Sequence, residues 1–302
     1  MRLVPVVVTL GSIVFLLFVV VPATYWLLKH RFLRRLREYA NFSGTPHSSQ
    51  WDLIFCTVPP ENPGFAKLRT THALSCVEGV GSDQERAIRV MHWVHDLARH
   101  APNPSTPKDM SAMNLIRLCQ EEGQRINCLM YSRILSECLL SLGIPARMIH
   151  LLPLQENPKE SHFVVSAFLR DQRRWIMLDP DMRGHLANSS NELLGIAEIR
   201  DRLVRGDPLV VNDDINMAGI GWMPLQLKRA LYRTYIAKNI FRVACYQQSP
   251  AAGAISPSDR LVFELIPDGF HPEWLKLPRT STNGSIRVFV NDAEGFWRAP
   301  SS

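Results

Sequence analysis

The spacing of apolar and charged positions separates the N-terminal part of the chain from the rest. Residues 3–28 contain no charged side chain, and 26 such residues rise about 39 Å as an α-helix, more than the roughly 30 Å hydrocarbon core of a bilayer. Five basic residues follow within residues 29–37, and residues 41–50 are rich in Ser, Gly, Pro and Asn. The pattern predicts a transmembrane anchor in residues 1–28 and a basic juxtamembrane linker in residues 29–50.

A cleaved signal peptide is the alternative for this segment, because Val21-Pro22-Ala23 loosely resembles a small-residue cleavage site. The apolar run exceeds the usual hydrophobic region of about 7 to 15 residues, and its basic cluster follows the run instead of preceding it. Both features favour an anchor. By the positive-inside rule we expect a single-pass membrane protein whose body, from residue 29 onward, lies in the cytoplasm.

Helical patterns dominate the first part of the body. Apolar residues recur with helical spacing in residues 82–100 and 111–122, and each segment begins at a serine that can cap it. A further apolar face starts at Cys128, directly after the good N-cap residue Asn127, and stops at Gly143. We therefore expect packed helices, with Cys128 in the first turn of one of them.

Strand patterns follow these helices. Residues 146–152, 162–169 and 174–178 carry β-branched and aromatic runs, and the last run ends at Asp179. Helices followed by antiparallel strands predict an α+β fold. We assign residues 51–215 to this domain.

Residues 216–302 are interpreted as a C-terminal extension of unassigned role. Residues 224–244 have the pattern of a basic amphipathic helix, which could lie on an anionic membrane surface or pack on the body, with packing favoured. Short apolar runs at residues 260–266 and 285–290 predict terminal strands.

Composition and charge narrow the class of partner. The chain has 46% hydrophobic and 21% charged residues, as in ordinary globular proteins, and its six cysteines form no CxxC pair. A four-cysteine zinc site and a dense disulfide framework are therefore not indicated. The formal net charge is +6, but residues 29–50 supply +4 of it, so the body is nearly neutral. A basic cluster beside an apolar run favours a membrane surface and not a nucleic acid as the partner.

Three residues of the body can perform acyl-transfer chemistry together. At a helix N-terminus the Cys128 thiol faces unpaired amides and the positive end of the helix dipole, which favour the thiolate. His162 can accept and return a proton near neutral pH. Asp179 ends the strand expected to pair with that of His162, so its carboxylate can orient the imidazole. We expect a catalytic triad of Cys128, His162 and Asp179.

The strings around these residues are Asn127-Cys128, Leu142-Gly143-Ile144-Pro145-Ala146-Arg147, His162-Phe163-Val164-Val165 and Trp175-Ile176-Met177-Leu178-Asp179-Pro180. In this order they resemble the transglutaminase-like superfamily of papain-like cysteine enzymes, over about residues 80–185. The resemblance implies a papain-like, transglutaminase-like core in which the helix carrying the cysteine packs on an antiparallel sheet. It also implies a nucleophile at Cys128, a general base at His162 and an orienting carboxylate at Asp179, with neither cofactor nor metal required.

The neighbours of the nucleophile depart from the family pattern, which often has glycine there. Asn127 precedes Cys128, and Leu129 follows it. An oxyanion formed during acyl transfer needs hydrogen-bond donors, and the Cys128 backbone amide is one candidate. Gln124 or Asn127 could supply the second, although a polar residue just before a helix is more often a cap.

The sequence thus predicts a membrane-anchored cysteine enzyme that acts on amide or peptide bonds through a Cys128 thioester. A hydrolase is favoured over an acyl transferase because water is always available as acceptor. The expected partners are a protein or peptide substrate and the membrane, contacted through residues 3–28 and the basic cluster 29–37. The alternative is a catalytically inactive, membrane-tethered binding scaffold with the same fold. No metal site is expected from His92, His95 and His100, because no acidic or cysteine partner lies at zinc spacing.

Overall fold

The computed structural model describes residues 21–42, 61–155, 161–217, 223–246, 261–275 and 286–300. Residues 1–20 and 43–60, which contain most of the predicted anchor and the last eight residues of the predicted linker, lie outside the described residues. Within the described part of the chain, no helix combines the length and the apolar character needed to cross a bilayer.

The helices, in chain order, are α1 (Val21–Glu38), α2 (Pro63–Thr71), α3 (Leu74–Glu78), α4 (Asp83–Asp96), α5 (Ala112–Glu122), α6 (Cys128–Ser141), α7 (Ile196–Arg205), α8 (Leu225–Asn239) and α9 (Ala293–Phe296). The predicted cap of α4 is confirmed, since Ser82 and Glu85 form a capping box. This helix ends at Asp96, before the predicted residue 100, because His100 forms a parallel β-bridge with Ile126.

The strands are β1 (Ala146–Leu152), β2 (His162–Leu169), β3 (Arg174–Asp179), β4 (Gly184–Ala187), β5 (Val210–Val211), β6 (Arg242–Tyr246), β7 (Leu261–Leu265) and β8 (Ile286–Val290). Among the described residues they form one sheet in the order β5-β4-β3-β2-β1-β6-β7-β8. Neighbouring strands are antiparallel, except that β7 and β8 are parallel. The predicted α+β fold, with a cysteine helix on a largely antiparallel sheet, is confirmed.

Helices cover both faces of the central strands. The apolar side of α6 shares one core with Val165 of β2, whereas α7 and α8 share the other core with Val164. Because successive strand residues point to opposite faces, His162 lies on the α8 face, as does Asp179 of β3. Cys128 begins the helix on the opposite face. The three residues can therefore meet only at the end of the sheet, where β2 starts and β3 stops.

The C-terminal part of the chain belongs to the same sheet. Helix α8 ends at Asn239, and Arg242–Tyr246 form β6 beside β1, so the predicted helix over residues 224–244 is wrong in its last residues. The β-branched and aromatic residues of this stretch gain more from burial between β1 and β7 than from a further helical turn. The sheet thus runs across the predicted boundary at residue 215.

Residues 29–38 are helical and pack on the body, so the predicted linker is wrong for this stretch. Leu36 is 1% exposed, and Phe32 and Leu33 pack against the core that contains α8. Apolar residues at positions 32, 33 and 36 form a stripe at helical spacing among the basic residues. Burial of this stripe explains why the basic segment continues α1 instead of forming a flexible connection.

Candidate active site

Cys128 is the first residue of α6, as predicted. Asn127 is extended, and its side-chain oxygen accepts a hydrogen bond of 3.2 Å from the Met130 amide. The β-bridge between Ile126 and His100 fixes the chain just before this cap. The Cys128 side chain remains partly exposed. Local capping thus presents the thiol to solvent at the N-terminus of a helix.

The pairing of β2 with β3 brings His162 and Asp179 together. Val165 is opposite Leu178 in the register, so Asp179 lies diagonally across from His162 on one face of the sheet. Diagonal neighbours are close enough for long side chains to touch. Nε2 of His162 lies 2.7 Å from Oδ2 of Asp179, and both side chains are buried. The predicted contact across the hairpin is present.

The third member of the triad lies against the same imidazole. The Cys128 sulfur and a ring nitrogen of His162 lie within 4.8 Å of each other, and the thiol helps to raise the pKa of the imidazole. Because Nε2 faces Asp179, Nδ1 is the ring nitrogen left for the sulfur. A proton can therefore move between the sulfur and Nδ1 while the carboxylate holds the ring in place.

The charge of His162 is set by two opposing effects. Burial alone would lower the pKa of this imidazole, but the Asp179 carboxylate raises it, and the net result is a pKa well above the ordinary 6.5. The imidazolium form donates from one nitrogen to Asp179 and from the other toward the sulfur. By contrast, burial raises the pKa of the Cys119 and Cys245 thiols to about 11. Those two cysteines remain protonated core residues.

Asp179 is held by donors besides His162. The Tyr232 hydroxyl of α8 donates to Oδ2 at 3.1 Å, and the Met182 amide donates to Oδ1 at 3.1 Å. Gly184 leaves room for the tyrosine, because a Cβ there would lie 2.7 Å from the Tyr232 hydroxyl oxygen. Both carboxylate oxygens are therefore fixed in a buried setting.

Two further side chains that the sequence analysis missed brace the site. The Tyr235 ring packs edge-on against the His162 imidazole, with ring centroids 5.1 Å apart. Nδ1 of His95 lies 2.9 Å from the Pro180 carbonyl, and Nε2 lies 2.9 Å from the Asn216 side-chain nitrogen. Neither role has a distinctive signal in the sequence, because aromatic residues on an amphipathic helix usually indicate packing.

Asp181 is a further residue beside the triad that the sequence did not predict. Its buried carboxylate lies 2.7 Å from Nδ1 of His100. One donor atom each of Cys128, His162 and Asp181 lie within 4.8 Å of one another. Thiolate, imidazole and carboxylate are the ligand types that zinc accepts. These three residues could hold a divalent cation, and a cation there would occupy the nucleophile and the base.

The histidines noted in the sequence have separate partners. His92 lies beside Asp214, with Nε2 3.1 Å from Oδ2. His95 contacts Pro180, and His100 contacts Asp181. The three side chains therefore do not converge on one point.

The two candidates for a second oxyanion donor are engaged elsewhere. The Gln124 side-chain amide donates to the Ser105 carbonyl at 3.1 Å, and the Asn127 side-chain oxygen caps α6. The Cys128 amide belongs to the first helical turn, whose N–H groups have no intrahelical acceptor. It therefore remains the best-placed candidate donor for a developing oxyanion.

The fold and the site together define the class of protein: an α+β protein with a papain-like arrangement of cysteine, histidine and aspartate. Residues 70–180 match the family model of the transglutaminase-like superfamily. This stretch contains Cys128, His162 and Asp179, so the chain carries a transglutaminase-like core together with its three expected site residues.

A solved structure from Cytophaga hutchinsonii, described as a putative cysteine protease, is similar to the chain with a TM-score of 0.34 and 15% sequence identity. The match covers 57% of this chain and 57% of that one, so the chain spans just over half of that structure's length. No curated protein matches the sequence.

Proposed function

We propose that this protein is a membrane-anchored cysteine enzyme that cleaves amide or peptide bonds through a thioester on Cys128, with water as the preferred acceptor. The observation that carries the proposal is the position of one buried imidazole, His162, which has Oδ2 of Asp179 2.7 Å from Nε2 and the Cys128 sulfur within 4.8 Å of a ring nitrogen. A buried imidazole with a carboxylate on one nitrogen and a thiol at the other has the parts of an activated nucleophile.

In the first half of the reaction, the thiol proton resides on Nδ1 of His162 and the sulfur attacks the carbonyl carbon of the substrate. The carbonyl electrons move onto oxygen, where the Cys128 amide at the start of α6 can donate a hydrogen bond. When the carbonyl re-forms, the C–N bond breaks. The departing nitrogen takes the proton from His162, which leaves a thioester on Cys128 and a neutral imidazole.

In the second half, neutral His162 accepts a proton from a water molecule that attacks the thioester carbon. The C–S bond then breaks, the sulfur leaves with the electron pair, and the carboxylic acid is released. The proton returns to the sulfur–imidazole pair. Asp179 stabilises the imidazolium each time it forms.

Hydrolysis and transfer to an amine share the thioester and differ only in the acceptor. Water needs no dedicated binding site, so it is the default acceptor, and we place hydrolysis first for this reason. Incubation of the enzyme with peptide amides, with and without a primary amine, separates the two activities. Mass spectrometry shows either the free acid or the amine adduct as the main product.

The membrane attachment is the second part of the proposal. It is supported by the uncharged run of residues 3–28 and by the basic residues that follow it. Protease digestion of sealed right-side-out vesicles tests the orientation. A protected body agrees with the cytoplasmic placement, and a digested body contradicts it.

A chloroacetamide probe tests the catalytic part on the full chain at neutral pH. The exposed Cys76 serves as an internal control, because both thiols experience the same probe. We expect Cys128 to be labelled faster than Cys76. The substitution His162→Ala should slow the labelling of Cys128 by roughly 100-fold or more and leave the labelling rate of Cys76 unchanged. Peptide mass spectrometry gives both rates. If Cys128 is labelled no faster than Cys76, and its labelling rate is the same in His162→Ala, the protein is an inactive scaffold.

A further inference from the structure

A cavity of about 310 Å³ opens between α1, α8 and residues 153–155, and no residue of the triad lines it. One part of its wall is apolar and the other is basic. The apolar part includes Leu28, Phe32, Leu36, Leu154 and Phe241. The basic part consists of Arg31 and Arg35 of α1 and Lys238 of α8. This combination suits a ligand with an anionic group attached to an apolar body.

Helix α1 carries more positive charge than its one acidic residue, Glu38, can neutralise. Arg35 forms an exposed ion pair of 2.7 Å with Glu38, and such pairs are weak in water. Arg31 is exposed on the same helix and also lines the cavity. An incoming phosphate can therefore approach several cations within one concave surface.

The wall formed by α1 is fixed to the body, so the cavity is a built feature. Nε of Arg37 donates to the Val204 carbonyl at 3.0 Å, and the Asp268 amide donates to the Asn41 carbonyl at 2.9 Å. The Tyr39 ring packs edge-on against Phe241 with centroids 5.5 Å apart. Contacts to three separate parts of the body hold the end of α1 in one position.

The position of the cavity along the chain indicates the source of the ligand. Leu27 and Leu28 of α1 are 61% and 41% exposed. Upstream of them the sequence carries no charge back to Leu3. The apolar part of the cavity therefore lies directly beside the segment that we propose to enter the bilayer. A lipid at that boundary would find its acyl chains on the leucine side and its headgroup on the arginine side.

We propose that this cavity binds an anionic phospholipid, with the headgroup phosphate held by Arg31, Arg35 and Lys238 and the first part of an acyl chain on Leu28 and Phe32. The proposal rests on the membrane attachment proposed above and is independent of the chemistry at Cys128. The lipid would fix the rotation of the body relative to the bilayer, because α1 packs on the body and its first residues belong to the proposed anchor.

Lipid titration of the full chain in detergent tests this proposal. Native mass spectrometry counts retained phosphatidylglycerol and phosphatidylcholine for three proteins: the natural chain, Arg31→Gln/Arg35→Gln, and Lys29→Gln/Arg34→Gln. The last is the matched control, since it removes two exposed charges from the same helix at positions outside the cavity wall. We expect the natural chain and the control to retain phosphatidylglycerol in preference to phosphatidylcholine. We expect the cavity variant to bind it at least about tenfold more weakly than the control.

Each other outcome overturns the proposal in a different way. Equal losses in both double variants would show diffuse charge attraction, and equal binding of phosphatidylcholine would show that the anionic group is not recognised. Competition by glycerol phosphate at the same concentration as lipid would indicate a soluble phosphate ligand. If the full chain does not float with vesicles of either composition, the proposed membrane attachment itself is contradicted. Cys128→Ser should bind lipid normally, so a failed enzyme assay does not bear on this result.

Discussion

Nε2 of His162 lies 2.7 Å from Oδ2 of Asp179, and less than 2% of either side chain is exposed. Water cannot stabilise an imidazolium in this position, so the carboxylate is what keeps the pKa of His162 well above 6.5. The charge of His162, the proposed base beside Cys128, therefore depends on Asp179 of the neighbouring strand β3.

Substitution Asp179→Asn should lower the pKa of His162 below its ordinary value, since burial then acts without the opposing carboxylate. The pKa can be followed by the ¹³Cε1 resonance of labelled histidine during a pH titration. Labelling of Cys128 by chloroacetamide should slow in the same variant. Asp171→Asn, in the turn between β2 and β3, is the control and should change neither quantity. An unaltered His162 titration in Asp179→Asn would contradict the assigned contact.

The same contact predicts how stability depends on pH. The folded-state pKa of His162 lies above its unfolded value, so the folded protein holds this proton more tightly. The resulting stabilisation is complete below about pH 6.5 and is lost as the pH rises through the folded-state pKa. The free energy of unfolding of the natural chain, minus that of Asp179→Asn, should therefore be largest in mild acid and shrink toward alkaline pH. Urea denaturation at a series of pH values measures this difference, and a constant difference would refute the linkage.

Tyr232→Phe removes one donor from Asp179 and keeps the ring. A hydrogen bond to a charged acceptor contributes about 1.5–3 kcal/mol, so the free energy of unfolding should fall by about that amount. Cys128 labelling should slow less than in Asp179→Asn, because the carboxylate still has His162 and the Met182 amide. Tyr235→Phe is the matched control, since its ring contact with His162 remains. Equal effects of the two tyrosine substitutions would argue against a special role for Tyr232.

Gly184→Ala should disturb the Asp179 carboxylate by displacing the Tyr232 hydroxyl that donates to it. The added Cβ would lie 2.7 Å from the Tyr232 hydroxyl oxygen and 2.9 Å from Cδ1 of Ile215, which is too close for either atom to stay. Overpacking of this kind costs about 1–3 kcal/mol. Combining Gly184→Ala with Tyr232→Leu should cost less stability than the two separate changes added together. Thermal unfolding of the four proteins gives the coupling, and strict additivity would contradict the clash.

The predictable part of the site depends on local structure and on chain order. Asn127 before an apolar helical face predicted the cap and so the position of Cys128. The runs at residues 162–169 and 174–178, separated by a short turn, predicted a hairpin that brings His162 near Asp179. Each step uses residues close together in the chain, where propensity and spacing are informative.

The rest of the site comes from contacts between distant segments. Tyr232 reaches Asp179 from 53 residues away, and His95 reaches Pro180 from 85. No local pattern marks either residue, because each also fits an ordinary amphipathic helix. Likewise, the burial of Leu36 and the entry of β6 beside β1 depend on surfaces that exist only in the folded protein.

The C-terminal segment covers a buried arginine at the far end of β1. The Arg147 guanidinium lies 4.4 Å from the Trp175 ring centroid, 5.2 Å from that of Phe296 and 4.9 Å from that of Trp297. It also donates to the Phe296 carbonyl at 2.8 Å. Burial lowers the pKa of Arg147 to about 10, so the aromatic rings and the carbonyl stabilise a cation that has lost its water.

Phe296→Ala should therefore lower the free energy of unfolding by about 3–5 kcal/mol, as expected for a buried ring. Part of this loss should come from the contact of the Phe296 ring with the Arg147 cation. In an Arg147→Met background, Phe296→Ala should therefore cost about 0.5–2 kcal/mol less. Arg147 pairs with Ser166, four residues along β2 from His162, which is roughly 13 Å. Cys128 should therefore be labelled at the rate of the natural chain in the folded fraction of Phe296→Ala, with or without Arg147→Met. Slower labelling at temperatures where both proteins remain folded would show that the C-terminal cover also positions the triad.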